Sequence, residues 1–152
     1  MSSVKYIPDG YHTITPHLVV RDAVKALAFY PKAFGATELF RMPGPDGVVM
    51  HAELQVGDSK FMLGEECPEQ GALSPQSVGG TGMGLLIYVK DVDAAFSQAT
   101  GAGCTTLMPP TDMFWGDRYG KLQDPFGHQW SLATHKEDLY PEEMAKRMAA
   151  MA

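Results

Sequence analysis

His51 and Glu53 stand two residues apart in the alternating segment Met50-His51-Ala52-Glu53-Leu54, so in an extended chain both side chains leave the same face. An imidazole beside a carboxylate is a candidate acid–base pair, provided that burial moves both groups toward neutrality. His17, in an earlier alternating segment, is a third polar side chain able to join them. A second cluster, Phe114-Trp115-Gly116-Asp117-Arg118-Tyr119-Gly120, sets aromatics beside a carboxylate and a guanidinium. Arg offers a rigid fork for a carboxylate or phosphate, Trp and Tyr offer faces for an organic body, and glycines let a ligand approach the backbone. The expected catalytic pair is His51 and Glu53, and the expected substrate-binding set is His17, Trp115, Asp117, Arg118 and Tyr119. Plainer readings stay open. His51 and Glu53 alternate with Ala52, Leu54 and Val56 as a solvated strand face would, Asp117 and Arg118 can simply pair with each other, and Trp115 can be core.

Other chemistries are disfavoured. The 152 residues carry a formal net charge of -6 with no Lys/Arg run, which leaves no footprint for nucleic acid or anionic lipid. The longest apolar run, Leu85 to Val89, is a strand's length, and the N-terminal segment has neither a basic nor an apolar leader region, so a cytoplasmic protein off the membrane is expected. Cys67 and Cys104 are far apart and in no metal-binding spacing; both read as free thiols, Cys104 as a small buried residue. The first strand–helix junction reads Val20-Arg21-Asp22 where a nucleotide-type parallel sheet needs a glycine-rich loop, which argues against an adenosylmethionine-dependent methyltransferase.

The elements that must position the candidates follow from periodicity. His12 to Val20 alternates, with Ile14, Leu18 and Val20 on one face and Thr15 and His17 on the other; Pro16 removes a donor and predicts an edge or a bend. Asp22 caps a helix stopped by Gly35, with Pro31 predicting a kink or an early end. Strands follow around 37–42, 48–56 and 60–64. Residues 65–84, rich in Gly, Pro, Ser and Gln, read as a linker or flexible flap. The order then returns: a strand at 85–89, the cap Asp91, a helix over 92–100, strands at 105–108, about 119–123 and about 129–134, and a short C-terminal helix over about 140–150 with acids first and bases last.

A shift of 69 places Val20 on Val89, Asp22 on Asp91, Ala26 on Ala95 and Leu63 on Leu132. A single offset across the half predicts duplication: an α+β chain of two tandem βαβββ modules, about 11–64 and 85–134, in one domain spanning 1–152. Two such sheets together would leave a concave mixed-sheet cleft.

The residues Val19-Val20-Arg21-Asp22, Ala28-Phe29-Tyr30, Ala33-Phe34-Gly35-Ala36 and Asp124-Pro125-Phe126-Gly127-His128 resemble the vicinal oxygen chelate (glyoxalase/bleomycin-resistance/dioxygenase) superfamily. Tyr11-His12-Thr13, Met50 to Leu54, Met113 to Gly120 and Trp130 to Ala133 are similar to its PhnB-like branch. The resemblance implies a glyoxalase-like fold, a homodimer and, in metal-dependent members, one ligand on the first and last strand of each module. Carried over, those positions are Thr15, Met62, Gly84 and Ser131, none of them an imidazole or a carboxylate, so no metal and no cofactor is expected. The expected function is binding of a small organic molecule in the cleft without the usual divalent metal. The alternative is a lyase-, isomerase- or dioxygenase-type enzyme with a metal site relocated to His17, His51 and Glu53, or with a metal-free acid–base site.

Overall fold

Asp22 and Asp91 do the same work in the two halves of the chain. Each carboxylate accepts the amide three residues on, from Lys25 and from Ala94, both at 3.1 Å, and opens a helix laid on a four-stranded sheet. The computed structural model describes residues 3–152 and divides into two compact units, one ending at Gly80 and the other starting at Thr81.

The first unit contains β1 (His17–Val20), α1 (Ala23–Phe34), β2 (Thr37–Pro43), β3 (Val49–Val56), β4 (Ser59–Glu65) and the single turn α2 (Pro75–Val78). The sheet order is β1-β4-β3-β2, with β1 parallel to β4 and the other pairs antiparallel. Leu18, Val20, Ala52, Leu54, Phe61 and Leu63 project from one face and are buried against Ala26, Leu27, Tyr30 and Ala33 of α1. The Tyr30 ring meets Phe61 edge-on at 5.7 Å. The opposite face carries the candidate residues.

Three local expectations need correction. The first strand starts at His17, not His12, and Ile14 is 86% exposed. Pro16 has no N–H to extend the ladder, and its carbonyl takes the Met62 amide at 2.9 Å just ahead of the strand. β1 is an edge strand, as that proline predicts. The helix does not end early at Pro31 but runs to Phe34: the Gly35 amide returns to the Pro31 carbonyl at 3.0 Å, and burial of Tyr30 and Ala33 outweighs one missing bond. Within the 65–84 segment, residues 66–78 are held in place rather than free as a flap. The Glu66 carboxylate accepts from Arg21 Nε at 2.7 Å, from the Ser77 hydroxyl at 2.5 Å and from Ser74, which is fully buried and caps α2. The Ser77 and Arg21 bonds hold the Glu66 carboxyl down at about 2.

The second unit contains β5 (Gly84–Tyr88), α3 (Val92–Ala102), β6 (Thr105–Asp112), β7 (Asp117–Gln123), β8 (Gln129–His135) and α4 (Pro141–Ala149). Its order, β5-β8-β7-β6, repeats the first. The register repeats as well: His17 faces Met62 and Leu18 faces Leu63, while Leu86 faces Ser131 and Ile87 faces Leu132. The offset of 69 holds for the first strand, the helix and the last strand, but the third strand departs from it by one residue. Ala52 faces Leu63 in one half, and Gly120, not Lys121, faces Leu132 in the other. The slip is taken up in the last hairpin, where Gly57-Asp58 is replaced by the longer Asp124-to-His128 turn. There Asp124 accepts the amides of Phe126 and His128 at 2.9 and 3.0 Å, and Gly127 supplies a φ of +90°. No helix among the described residues is long and apolar enough to cross a membrane.

Candidate functional site

On the face of the first sheet opposite α1, His17, Met62 and Glu53 stand side by side on β1, β4 and β3, because each is the direct cross-strand partner of the next. His51, two residues before Glu53, shares that face and brings its ring to 5.8 Å from the His17 ring with 23° between planes. Gly64 leaves the space this needs: a Cβ there would fall 2.6 Å from the Met50 carbonyl oxygen and 3.8 Å from His17 Cε1. Partial desolvation of the His17 ring, and then the charge of His51, push His17 below the ordinary imidazole value. The structure therefore brings His17, His51 and Glu53 onto one face.

It also adds a residue that periodicity did not single out. Tyr11, in the arm before β1, donates its hydroxyl to Glu53 Oε1 at 2.5 Å. Desolvation, reinforced by that carboxylate, raises the phenol to about 12, so Tyr11 keeps the proton that it donates to Glu53 well above neutral pH. Lys60 fixes the arm: its ammonium lies 4.9 Å from the Tyr11 ring centroid and donates to the Asp9 carbonyl at 3.2 Å. The sequence signal was weak, an aromatic at the edge of the Tyr11-His12-Thr13 motif with its partner 42 positions away.

The second unit separates what adjacency in the sequence had joined. Arg118 and Tyr119 are consecutive on β7 and leave opposite faces. Arg118 reaches α3, where Nε and Nη2 hold Asp93 at 2.9 and 3.0 Å and Nη1 holds Asp112 at 3.2 Å; these bonds raise its pKa further. Tyr119 lies on the open face, its hydroxyl 2.6 Å from the Ser131 hydroxyl and its ring edge-on to Trp115 at 5.5 Å. Asp117 is 4% exposed and is fully engaged. One oxygen accepts from Trp115 Nε1 at 3.0 Å and from the Tyr88 hydroxyl at 3.2 Å, and the other meets His135 Nδ1 at 2.7 Å. His135 Nε2 turns to Asp138 at 2.7 Å, and the Asp138 and Asp117 bonds together raise the His135 pKa. Asp117 thus orients Trp115 and clasps the end of β8, a role that the local pattern did not disclose because His135 lies 18 positions on.

The superfamily's metal positions do not fit a divalent ion. Met62 offers a thioether, Gly84 nothing, Thr15 a hydroxyl 3.4 Å from the His12 carbonyl, and Ser131 a hydroxyl already bonded to Tyr119. Among the described residues no group of three His, Cys, Asp or Glu side chains is gathered as a metal site, the His17, His51 and Glu53 set included. Cys104 is buried, and desolvation pushes its thiol up to about 12, which leaves it inert as a nucleophile.

Comparison with known proteins agrees with this architecture. A sequence profile of the Glyoxalase/Bleomycin resistance protein/Dioxygenase superfamily matches residues 10–132. An uncharacterized protein of Mycobacterium bovis is 43% identical over 140 residues, covering 90% of this chain and 92% of that one. The X-ray structure of an Arabidopsis thaliana gene product is similar with a TM-score of 0.66 at 28% identity, covering 81% of this chain and 98% of that chain. A PhnB protein from Bacillus cereus shares the fold, with a TM-score of 0.62 at 19% identity over 81% of this chain and 99% of that chain. Two four-stranded mixed sheets of the same strand order, each under one helix opened by an aspartate cap, together with the profile match, place the chain in the glyoxalase/bleomycin resistance/dioxygenase superfamily.

Proposed function

We propose that this chain is a PhnB-like member of the superfamily that binds a small organic molecule on the open face of its first sheet, without the usual divalent metal. The observation that carries this reading is the row of Tyr11, Glu53, His51 and His17 on one face. It offers a hydroxyl–carboxylate pair and two imidazoles beside the apolar Met62. A few polar anchors on a mostly apolar surface are what small ligands need. On the open face of the second sheet, Tyr119 and Trp115 supply aromatic surface; Asp117 orients Trp115, and Arg118 braces α3.

One feature favours the enzymatic alternative, a metal-free acid–base site. Tyr11 hydrogen-bonded to Glu53 pairs a proton donor with a carboxylate that can accept one, and His51 stands next to it. The proposal further includes a homodimer in a reducing cytoplasm. It is supported by the edge strand β2, whose Leu39, Phe40 and Met42 face solvent, and by the two free thiols.

A compound screen by thermal shift tests the binding reading on wild type, His51→Ala, Glu53→Gln, Trp115→Ala and Arg118→Ala. Hits should stabilise wild type, lose most of their effect in the His51 and Glu53 variants, and keep it in Arg118→Ala. Equal stabilisation of all five proteins would overturn the assignment.

A further inference from the structure

A cavity of about 570 Å³ opens within the second unit, between the 112–117 segment that joins β6 to β7, the end of β8 and the last turn of α4. This volume suits a small organic ligand. Met113, Phe114 and Met151 give it an apolar wall. Its shape is held by backbone: Gly116, at φ +101°, accepts the amides of Lys136 and Glu137 at 2.9 and 3.0 Å, and a Cβ there would fall 2.5 Å from the Glu137 carbonyl oxygen.

Five charged residues also line the cavity, and the side chains of four of them are already committed. Asp117 is satisfied by Trp115, Tyr88 and His135. Glu137 is held by Arg147 at 2.6 Å, and Arg147 also holds Glu143 at 3.1 Å. Asp112 is held by Arg118 at 3.2 Å. Lys136 differs. Its ammonium makes no hydrogen bond or ion pair among the described residues, and its charge reaches Asp93 from beyond contact distance. The lining therefore presents one uncommitted cation beside an apolar wall. The basic last turn of α4, Lys146 and Arg147, offsets the negative end of the helix dipole next to it.

We propose that this cavity is a second binding site, for an organic carboxylate whose apolar body packs on Met113, Phe114 and Met151 and whose carboxylate meets Lys136. It is separate from the open face of the first sheet, which takes its ligand through Glu53 and His51.

The test is isothermal titration of the full chain with three probes of the same body: 3-phenylpropionate, 3-phenylpropanol and 3-phenylpropylamine. The acid should bind, the alcohol at least tenfold more weakly and the amine not at all. Lys136→Gln, at an exposed position where folding is safe, should weaken the acid at least tenfold, while His51→Ala and Glu53→Gln leave it unchanged. No heat from the acid at millimolar concentration would overturn the proposal. So would tighter binding of the amine, equal binding of the acid by Lys136→Gln, or loss of binding in the His51 or Glu53 variants.

Discussion

Tyr11 and Glu53 are joined by a hydroxyl-to-carboxylate hydrogen bond of 2.5 Å that ties the N-terminal arm to the third strand of the first sheet. The bond favours the protonated phenol, so its effect on stability has a definite sign. The folded-state pKa of Tyr11, about 12, lies above the ordinary value of 10.0, so the stabilisation is complete below pH 10 and is lost as pH rises through 12. Ultraviolet titration should show one tyrosine ionising near 12 in wild type. In Glu53→Gln that tyrosine should ionise earlier; an unchanged titration would mean that the bond is absent in solution.

His135 should titrate above the ordinary imidazole value of 6.5, because Asp138 and Asp117 both stabilise its charged form. The clasp therefore contributes fully below pH 6.5 and weakens as pH rises through the raised folded value. NMR titration of His135 should show lower values in Asp138→Asn and in Asp117→Asn. Asp117→Ala should also cost about 3 kcal/mol in urea denaturation, because it strands the Trp115 and Tyr88 donors and the imidazole.

The two caps should respond unequally to truncation. Asp91→Ala should cost about 1 kcal/mol, the usual worth of a side-chain cap. Asp22→Ala should cost roughly 1–2 kcal/mol more, because Asp22 holds a φ of +66°, which a Cβ-bearing residue without a local hydrogen bond tolerates poorly. Asp22→Gly should recover that excess. Equal losses for the two alanine variants would contradict the left-handed cap.

Asp22 and Asp91 were legible in the sequence for the same reason that they matter: a cap is a local device with its partner three residues away. So was the 69-residue repeat, whose register the structure reproduces in the first and last strands but not in the third. The limits were equally physical. Alternation continued through Ile14 and Thr15, so the first strand read too long, because side-chain pattern is blind to the donor missing at Pro16. Arg118 and Tyr119 read as one cluster because they are neighbours in the chain, although a strand sends neighbours to opposite faces. Tyr11 and His135 went unmarked because their partners are 42 and 18 positions away, distances that only the folded sheets close.

Elemental analysis of the purified protein should find no stoichiometric divalent metal, because Thr15, Met62, Gly84 and Ser131 provide neither imidazole nor carboxylate. One bound ion per chain that is lost in His17→Ala, His51→Ala or Glu53→Gln would show a site rebuilt on the open face.

Methionine methyl NMR tests the central claim most directly, since Met62 stands between His17 and Glu53 on the open face while Met113 and Met151 line the cavity beside α4. In protein labelled with carbon-13 at the methionine methyls, a hit from the thermal-shift screen should move the Met62 resonance, and Glu53→Gln should abolish that movement. A hit that leaves Met62 in place and shifts only methionines elsewhere would contradict the assignment of the ligand to the face of Tyr11, His17, His51 and Glu53.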